Sequence, residues 1–248
     1  MLRFAFLCVA GIVAGIIGTS GGITSLVSYP ALLAAGVPAL RADIVNLVAL
    51  VACWPGAAIA SRPELAGRGR WLLRWGALAA AGGAAGAVLL LSTPPGVFGR
   101  VVPFLVAAGS LALLAQPRIT AWRSARGAEG GPLLPGGVTA LSVYNGYFGA
   151  GSGVMLLALT LMTTEPRLAP ANALKNMLVG AATILSALLV AVLTPVDWAA
   201  AAPLAVGVFA GSTIGPGVAR RLPPGLLRWL VALMGLGLAV SLWLDPAT

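Results

Sequence analysis

The stretch GIIGTSGGIT, residues 15–24, interrupts a long apolar run near the start of the 248-residue chain. It places four glycines within eight residues, together with a threonine and a serine. A glycine inside a helix costs about 1 kcal/mol relative to alanine, so the cluster predicts that a helix breaks here. The four glycines are Gly15, Gly18, Gly21 and Gly22.

The composition indicates the class of protein. Hydrophobic residues make up 59% of the chain and charged residues 8%, with a mean hydropathy of +1.00. A soluble domain carries about 25% charged residues, so this chain is predicted to be an integral membrane protein with the lipid bilayer as a partner. The net charge of +9 comes from arginines in short loops, a placement typical of cytoplasmic loops rather than of nucleic-acid binding. We expect a multi-pass protein of the cytoplasmic membrane.

The chain is poor in the side chains that catalysis and metal binding require. It has no histidine and two cysteines, both in apolar runs, so no metal or haem ligand set can be assembled and no cofactor is expected. The six acidic residues fall in loops or near the outer ends of apolar runs, and no carboxylate is predicted deep in a span. We therefore expect no enzyme. Whether a proton travels on a transported substrate or transport is passive is left open.

Six apolar runs have about the 20 residues that a membrane crossing needs, and within the first of them Pro55 predicts a kink. Two further runs, 4–36 and 134–163, are each about 30 residues long and broken by glycine near the middle, which predicts helical hairpins with halves of about 11–15 residues. The six spans are 42–60, 72–92, 97–115, 172–194, 198–217 and 226–244.

The arginine-rich loops set an orientation. Loops 61–71, 116–133 and 218–228 are predicted to be cytoplasmic, with both termini outside, because this arrangement leaves twelve of the fifteen basic residues inside. Residues 134–163 then start and finish on the cytoplasmic side, as a hairpin does.

The glycine cluster occurs twice. GIIGTSGG at 15–22 matches GYFGAGSG at 146–153, and each copy is followed by three spans that run in opposite senses in the two halves. The predicted fold is therefore an all-α integral membrane protein of two inverted repeats, each a glycine-broken helical hairpin followed by three transmembrane helices. The first repeat spans 1–116 and the second 134–248, with a cytoplasmic linker at 117–133.

Inverted repeats with broken segments at matching positions are typical of secondary transporters. A half-helix that starts at Gly22 or Gly153 would offer free N–H groups and a positive dipole end to a small anionic substrate. The predicted substrate-binding residues are Thr19, Ser20, Gly21, Gly22, Asn46, Gly151, Ser152, Gly153, Lys175 and Asn176.

Each of these residues also has a structural interpretation. The glycines could pack helices together, Asn46 and Asn176 could form interhelical hydrogen bonds, and Lys175 could extend to the lipid headgroups. A channel is disfavoured because the spans have little polar lining.

The motif G-x-x-G-x-x-G-G, followed by Pro30 and ALLAAGVP and by the second copy ending in Gly151-Ser152-Gly153, resembles that of the TauE/SafE sulfite exporter family. The resemblance covers essentially the whole chain. It implies transport of sulfite, organosulfonates or related sulfur oxyanions across the cytoplasmic membrane, often outward. A carrier for another small anion, such as a carboxylate, is the alternative, and homo-oligomerisation is left open.

Overall fold

A computed structural model describes residues 2–94 and 133–219, together with isolated positions within 96–118 and 229–244. Across these residues the chain forms helices and turns and no strand. The helices are α1 (Leu2–Gly21), α2 (Ser25–Ala34), α3 (Ala39–Leu50), α4 (Cys53–Ala60), α5 (Arg62–Leu65), α6 (Gly69–Ser92), α7 (Leu133–Tyr147), α8 (Ser152–Thr163), α9 (Leu168–Leu193) and α10 (Trp198–Ala219).

Within the described part of the chain, five segments are long and apolar enough to cross a membrane, which confirms the prediction of an all-α membrane protein. They are Leu2–Gly21, Ala39–Ala60, Gly69–Ser92, Leu168–Leu193 and Trp198–Gly217. Four of them correspond to predicted spans. The predicted spans 97–115 and 226–244, the linker 117–133 and the loop 218–228 lie largely or wholly outside the described residues.

The first hairpin differs from the prediction. Helix α1 continues through Gly15 and Gly18 and ends at Gly21, so it has 20 residues rather than the expected 11–15, and α2 has 10. The glycines of α1 let it pack closely against α10. A methyl group on Gly15 would lie 2.5 Å from the carbonyl oxygen of Val208. This close packing offsets the low helix propensity of glycine.

The second hairpin has the predicted dimensions. Helices α7 and α8 have 15 and 12 residues, and the turn between them uses Gly149 and Gly151, with φ of +78° and +75°. Gly146 stays inside α7, where an added methyl group would collide with the carbonyl oxygen of Gly83 in α6. Glycines thus serve two purposes here, the turn and the contact between helices.

The predicted kink is present in the span Ala39–Ala60. Helix α3 ends at Leu50 and α4 begins at Cys53. Pro55 has no N–H, and its ring clashes with the carbonyl four residues earlier, which is that of Val51. The Val51 oxygen instead accepts a hydrogen bond from the N–H of Trp54 at 3.2 Å. The break at residues 51–52 therefore follows from a proline that the sequence already shows.

Two ion-pair sites connect distant parts of the chain. Arg3 at the start of α1 pairs with Asp197 just before α10, with 3.6 Å between nitrogen and oxygen. Arg68, before α6, pairs with Glu165 between α8 and α9, and Arg167 binds the same carboxylate through two nitrogens at 2.9 and 3.2 Å. Each site joins segments that the predicted orientation puts on the same side of the membrane.

The Glu165 carboxyl has a perturbed acidity. Its pKa is lowered to about 2, chiefly by the side-chain hydrogen bond from Arg167, with a backbone hydrogen bond from Arg167 and the charges of Arg167 and Arg68 adding to the effect. The carboxylate therefore stabilises the folded protein in its ionised form and connects the α5–α6 loop to the α8–α9 loop.

Replacing Glu165 by glutamine should lower the melting temperature at neutral pH and leave it unchanged in strong acid. Because the pKa is lower in the folded protein than in the unfolded chain, the unfolded chain takes up the proton first, and the stabilisation is lost as the pH falls from about 5 to about 2. Thermal unfolding of both proteins in detergent across this range measures the effect. A difference in melting temperature that does not change with pH would contradict it.

Candidate functional site

The two glycine clusters are in direct contact. A methyl group on Gly22 would lie 2.5 Å from the carbonyl carbon of Gly153, and one on Gly153 would lie 2.6 Å from the carbonyl oxygen of Gly22. Gly22 has a φ of +80° and ends the α1 helix, and α2 begins at Ser25. Helix α8 begins at Ser152. The N-termini of the two half-helices α2 and α8 therefore meet at a contact between two backbones.

A cavity of about 40 Å³ lies against this contact. Its volume suits about three water molecules or one small anion. Its walls come from the end of α1, the start of α2, the kinked span, the α7–α8 turn and the middle of α9. The lining residues are Gly18, Gly22, Thr24, Ser25, Leu50, Cys53, Trp54, Ala57, Asn145, Gly149, Ser152, Gly153, Lys175, Asn176, Val179, Gly180 and Thr183.

Backbone donors at the two helix starts are available to a ligand. The N–H groups of Thr24 and Ser25, and that of Gly153, make no backbone hydrogen bond within the described residues. The first N–H groups of a helix have no partner inside the helix, and the helix dipole places partial positive charge at that end. Since both helix starts line the cavity, both dipoles favour an anion inside it.

Lys175 on α9 brings an amino group to the same cavity, where an anion would pair with its protonated form. The residue is 1% exposed, so it does not extend to the lipid headgroups. Among the described residues its ammonium group makes a single hydrogen bond, to the carbonyl oxygen of Gly18 at 3.3 Å. An ammonium group has three donors, so donors remain for a bound anion.

Two asparagines of α9 stabilise the other polar element near the cavity, the C-terminal end of α1. Asn172 and Asn176 both donate to the carbonyl oxygen of Thr19, at 2.8 and 3.2 Å. The last carbonyls of a helix have no internal partner and carry partial negative charge, which would repel an anion. Together with Lys175, these amides offset that charge beside the cavity.

A chain of hydrogen bonds fixes the opposite wall. Ser152 donates to the side-chain oxygen of Asn145 at 2.7 Å or to the carbonyl oxygen of Gly149 at 2.8 Å. Asn145 in turn donates to the hydroxyl of Thr183 on α9 at 3.0 Å. These side chains connect α7, α8 and α9 where all three border the cavity.

The structure brings half of the predicted site residues to the cavity, namely Gly22, Ser152, Gly153, Lys175 and Asn176. The other five lie outside its lining. The hydroxyls of Thr19 and Ser20 bond carbonyls of their own helix, those of Gly15 and Ile16. The remaining three are Gly21, Asn46 and Gly151.

Asn46 has a structural role in the first hairpin. It is 1% exposed, accepts a hydrogen bond from Ser28 at 2.6 Å and donates one to Ser25 at 3.2 Å. The Asn46 amide therefore connects α3 to the start of α2 by hydrogen bonds and does not line the cavity. The lining also contains residues outside the predicted site, among them Cys53 and Thr183, for which the sequence gives no local signal.

Asp43 lies near one end of its span, as the sequence indicates, but its side chain is completely buried. It lies in the segment Ala39–Ala60 and is 0% exposed. Helices α2, α9 and α10 pack against α3, the helix that carries Asp43.

These features define a multi-pass α-helical membrane protein with a small polar cavity at the contact of two half-helices. A family model described as sulfite exporter TauE/SafE matches residues 4–242. The chain therefore belongs to the TauE/SafE sulfite exporter family, a family of membrane transporters. No curated protein and no solved structure matches the chain.

Proposed function

We propose that the protein is a secondary transporter that exports small sulfur oxyanions, such as sulfite or an organosulfonate, across the cytoplasmic membrane. One observation carries this proposal. The half-helix starts of α2 and α8 and the buried Lys175 border a single cavity, so backbone dipoles and an ammonium group act on the same small volume. The family supports a sulfur oxyanion as the substrate.

The proposed binding mode replaces the hydration shell of the anion with protein donors. The N–H groups of Thr24, Ser25 and Gly153 and the ammonium group of Lys175 supply hydrogen bonds to its oxygens. The cavity of about 40 Å³ favours a compact anion over an extended one. Organosulfonates with more than a few heavy atoms would need a wider conformation.

Two inverted repeats would supply the motion that transport needs. The packing supports this part of the proposal, because the contacts are exchanged between the halves. Helix α1 of the first half packs on α10 of the second, and α7 of the second half packs on α6 of the first. In inverted-repeat transporters one set of helices rocks against the other around a central site. We propose that the contact of Gly22 with Gly153 lies at this central site.

Transport by the purified protein in lipid vesicles tests this function. Vesicles loaded with unlabelled sulfite should exchange it for external radiolabelled sulfite faster than protein-free vesicles. Unlabelled sulfite and methanesulfonate should compete with the labelled anion, and acetate and oxalate should not. Competition by the carboxylates alone would instead identify a carboxylate carrier.

Replacing Ser152 by alanine should weaken sulfite binding about 5- to 100-fold, since a buried acceptor left without its donor costs about 1–3 kcal/mol. The change leaves the side-chain oxygen of Asn145 without its Ser152 donor and so disturbs the cavity wall. Half-saturation of sulfite exchange measures the effect.

Ser186→Ala is the matched control for this prediction. Ser186 is equally buried and bonds the carbonyl of Ala182 in its own helix at 2.7 Å, away from the cavity lining. It should leave half-saturation unchanged. Equal effects of the two alanine variants would show that Ser152 acts only through packing.

A further inference from the structure

The Asp43 side chain is completely buried, and its polar atoms lack hydrogen-bond partners among the described residues. Within the described part of the chain neither of its carboxylate oxygens has a hydrogen-bond partner, and the hydroxyl of Tyr29, itself 1% exposed, has none either. An isolated carboxylate is very costly to bury, because water solvates the charge and apolar protein does not. In this conformation the group is therefore expected in its neutral, protonated form.

No basic side chain among the described residues neutralises Asp43 instead. From α2 and α7 the titratable groups close enough to feel its charge are Tyr29 and Tyr144. On α9 the ionisable residue is Lys175, which faces the cavity, as does Cys53 on α4. Helix α10 contains no ionisable side chain, and Arg41 on α3 itself is exposed.

The position of Asp43 connects it to the anion cavity. Asp43 lies three residues before Asn46 on α3, and Tyr29 lies four residues after Ser25 on α2, so both pairs are about one helical turn apart. Asn46 bonds Ser25, and Ser25 lines the cavity. A negative charge on Asp43 would thus lie about one turn beyond the cavity wall and would repel an anion there.

We infer that Asp43 is a proton-binding site and that its proton moves in the same direction as the transported anion, so that export follows an outward gradient of the anion and an inward proton gradient drives the reverse direction. Protonation adds H⁺ to the Asp43 carboxylate. This removes its negative charge before the surrounding helices pack over the side chain. By linkage, a proton that favours anion binding is itself held more tightly when the anion is present. The inference rests on the proposed anion transport.

The test compares wild type with Asp43→Asn in vesicles that contain the purified protein, with the membrane potential clamped at zero. An acid-outside pH gradient should drive wild type to accumulate radiolabelled sulfite up to about tenfold per pH unit, the limit for one proton per anion. Asp43→Asn should accumulate none, while its exchange of labelled for unlabelled sulfite at equal pH stays within about twofold of wild type. Protein-free vesicles correct for passive entry.

The matched control is Asp197→Asn, which removes a half-exposed carboxylate paired with Arg3 at the surface and should behave as wild type. Accumulation by Asp43→Asn equal to that of wild type would show that the proton travels on sulfite, and would overturn the inference. Dependence on a sodium gradient instead of a pH gradient, lost in Asp43→Asn, would overturn it in favour of a sodium site.

Protein stability gives a second measurement that does not depend on transport. Asparagine has the shape of the neutral carboxyl group, so Asp43→Asn should melt in detergent at the same temperature as wild type or higher. A variant that fails to fold would show that the charge of Asp43 is required, which contradicts a neutral side chain. Absence of sulfite exchange in wild type would refute the proposed function, and the melting comparison would still decide the protonation of Asp43.

Discussion

Replacing Lys175 by methionine should weaken the apparent affinity for sulfite about 10- to 100-fold while the protein remains folded. Methionine keeps an unbranched side chain of similar length and removes the charge together with the hydrogen-bond donors. A hydrogen bond to a charged group contributes about 1.5–3 kcal/mol, and about 1.4 kcal/mol corresponds to tenfold in affinity. Half-saturation of sulfite exchange, read beside the amount of folded protein, measures the change.

A second role for Lys175 must be separated from anion binding. Its ammonium group lies 3.3 Å from the carbonyl oxygen of Gly18, so it also stabilises the negative end of the α1 dipole. If this were its main function, Lys175→Met would lower the melting temperature and leave half-saturation unchanged. That result would remove Lys175 from the proposed site.

Asn172→Ala provides the matched comparison. Asn172 donates to the carbonyl oxygen of Thr19 at 2.8 Å, at the same end of α1, but it does not line the cavity. This variant should lower the melting temperature with little change in half-saturation. If Lys175→Met changes mainly half-saturation and Asn172→Ala changes mainly the melting temperature, attraction of the anion is distinguished from stabilisation of the helix end.

The sequence predicts those features whose cause is local. The kink follows from Pro55, and the α7–α8 turn follows from glycines that adopt positive φ. The pairing of Gly22 with Gly153 could be predicted because the motif is repeated. In each case a few neighbouring residues determine the backbone, so the pattern alone is informative.

Features that depend on contacts between distant helices could not be predicted. Gly15 resembles a helix breaker until α10 is placed beside α1, where a small residue is required for packing. Gly18 instead leaves room for the side chain of Thr24. Asp43 lies near the end of an apolar run in the sequence, and its burial follows from the packing of other helices against α3. Asn46 and Asn176 each lie in the helix that follows a hairpin but contact different partners, Ser25 and Thr19.

Gly22→Ala should produce the largest loss of function, at least tenfold in sulfite transport, together with lower stability. Two costs are expected. A residue with a side chain at positive φ costs about 1–2 kcal/mol, and the new methyl group would lie 2.5 Å from the carbonyl carbon of Gly153. Backbone atoms at that distance must move apart, which typically costs a further 1–3 kcal/mol or so.

Gly36→Ala separates these two costs. Gly36 also follows a helix end and has the same φ of +80°, but an added methyl group there meets nothing within 4 Å. It should therefore cost only the backbone strain of about 1–2 kcal/mol and leave transport intact. The difference between the two variants isolates the contact between Gly22 and Gly153.

The contact matters for transport because it sets the distance between two helix starts that share one cavity. When α2 and α8 are pushed apart, the N–H groups of Ser25 and Gly153 no longer converge on the same anion, and the electrostatic contribution of each weakens with distance. Gly22→Ala should thus lose affinity even in the fraction of protein that remains folded, measured as half-saturation of sulfite exchange. If Gly22→Ala and Gly36→Ala retain equal affinity, the glycine contact serves packing alone and the anion binds elsewhere.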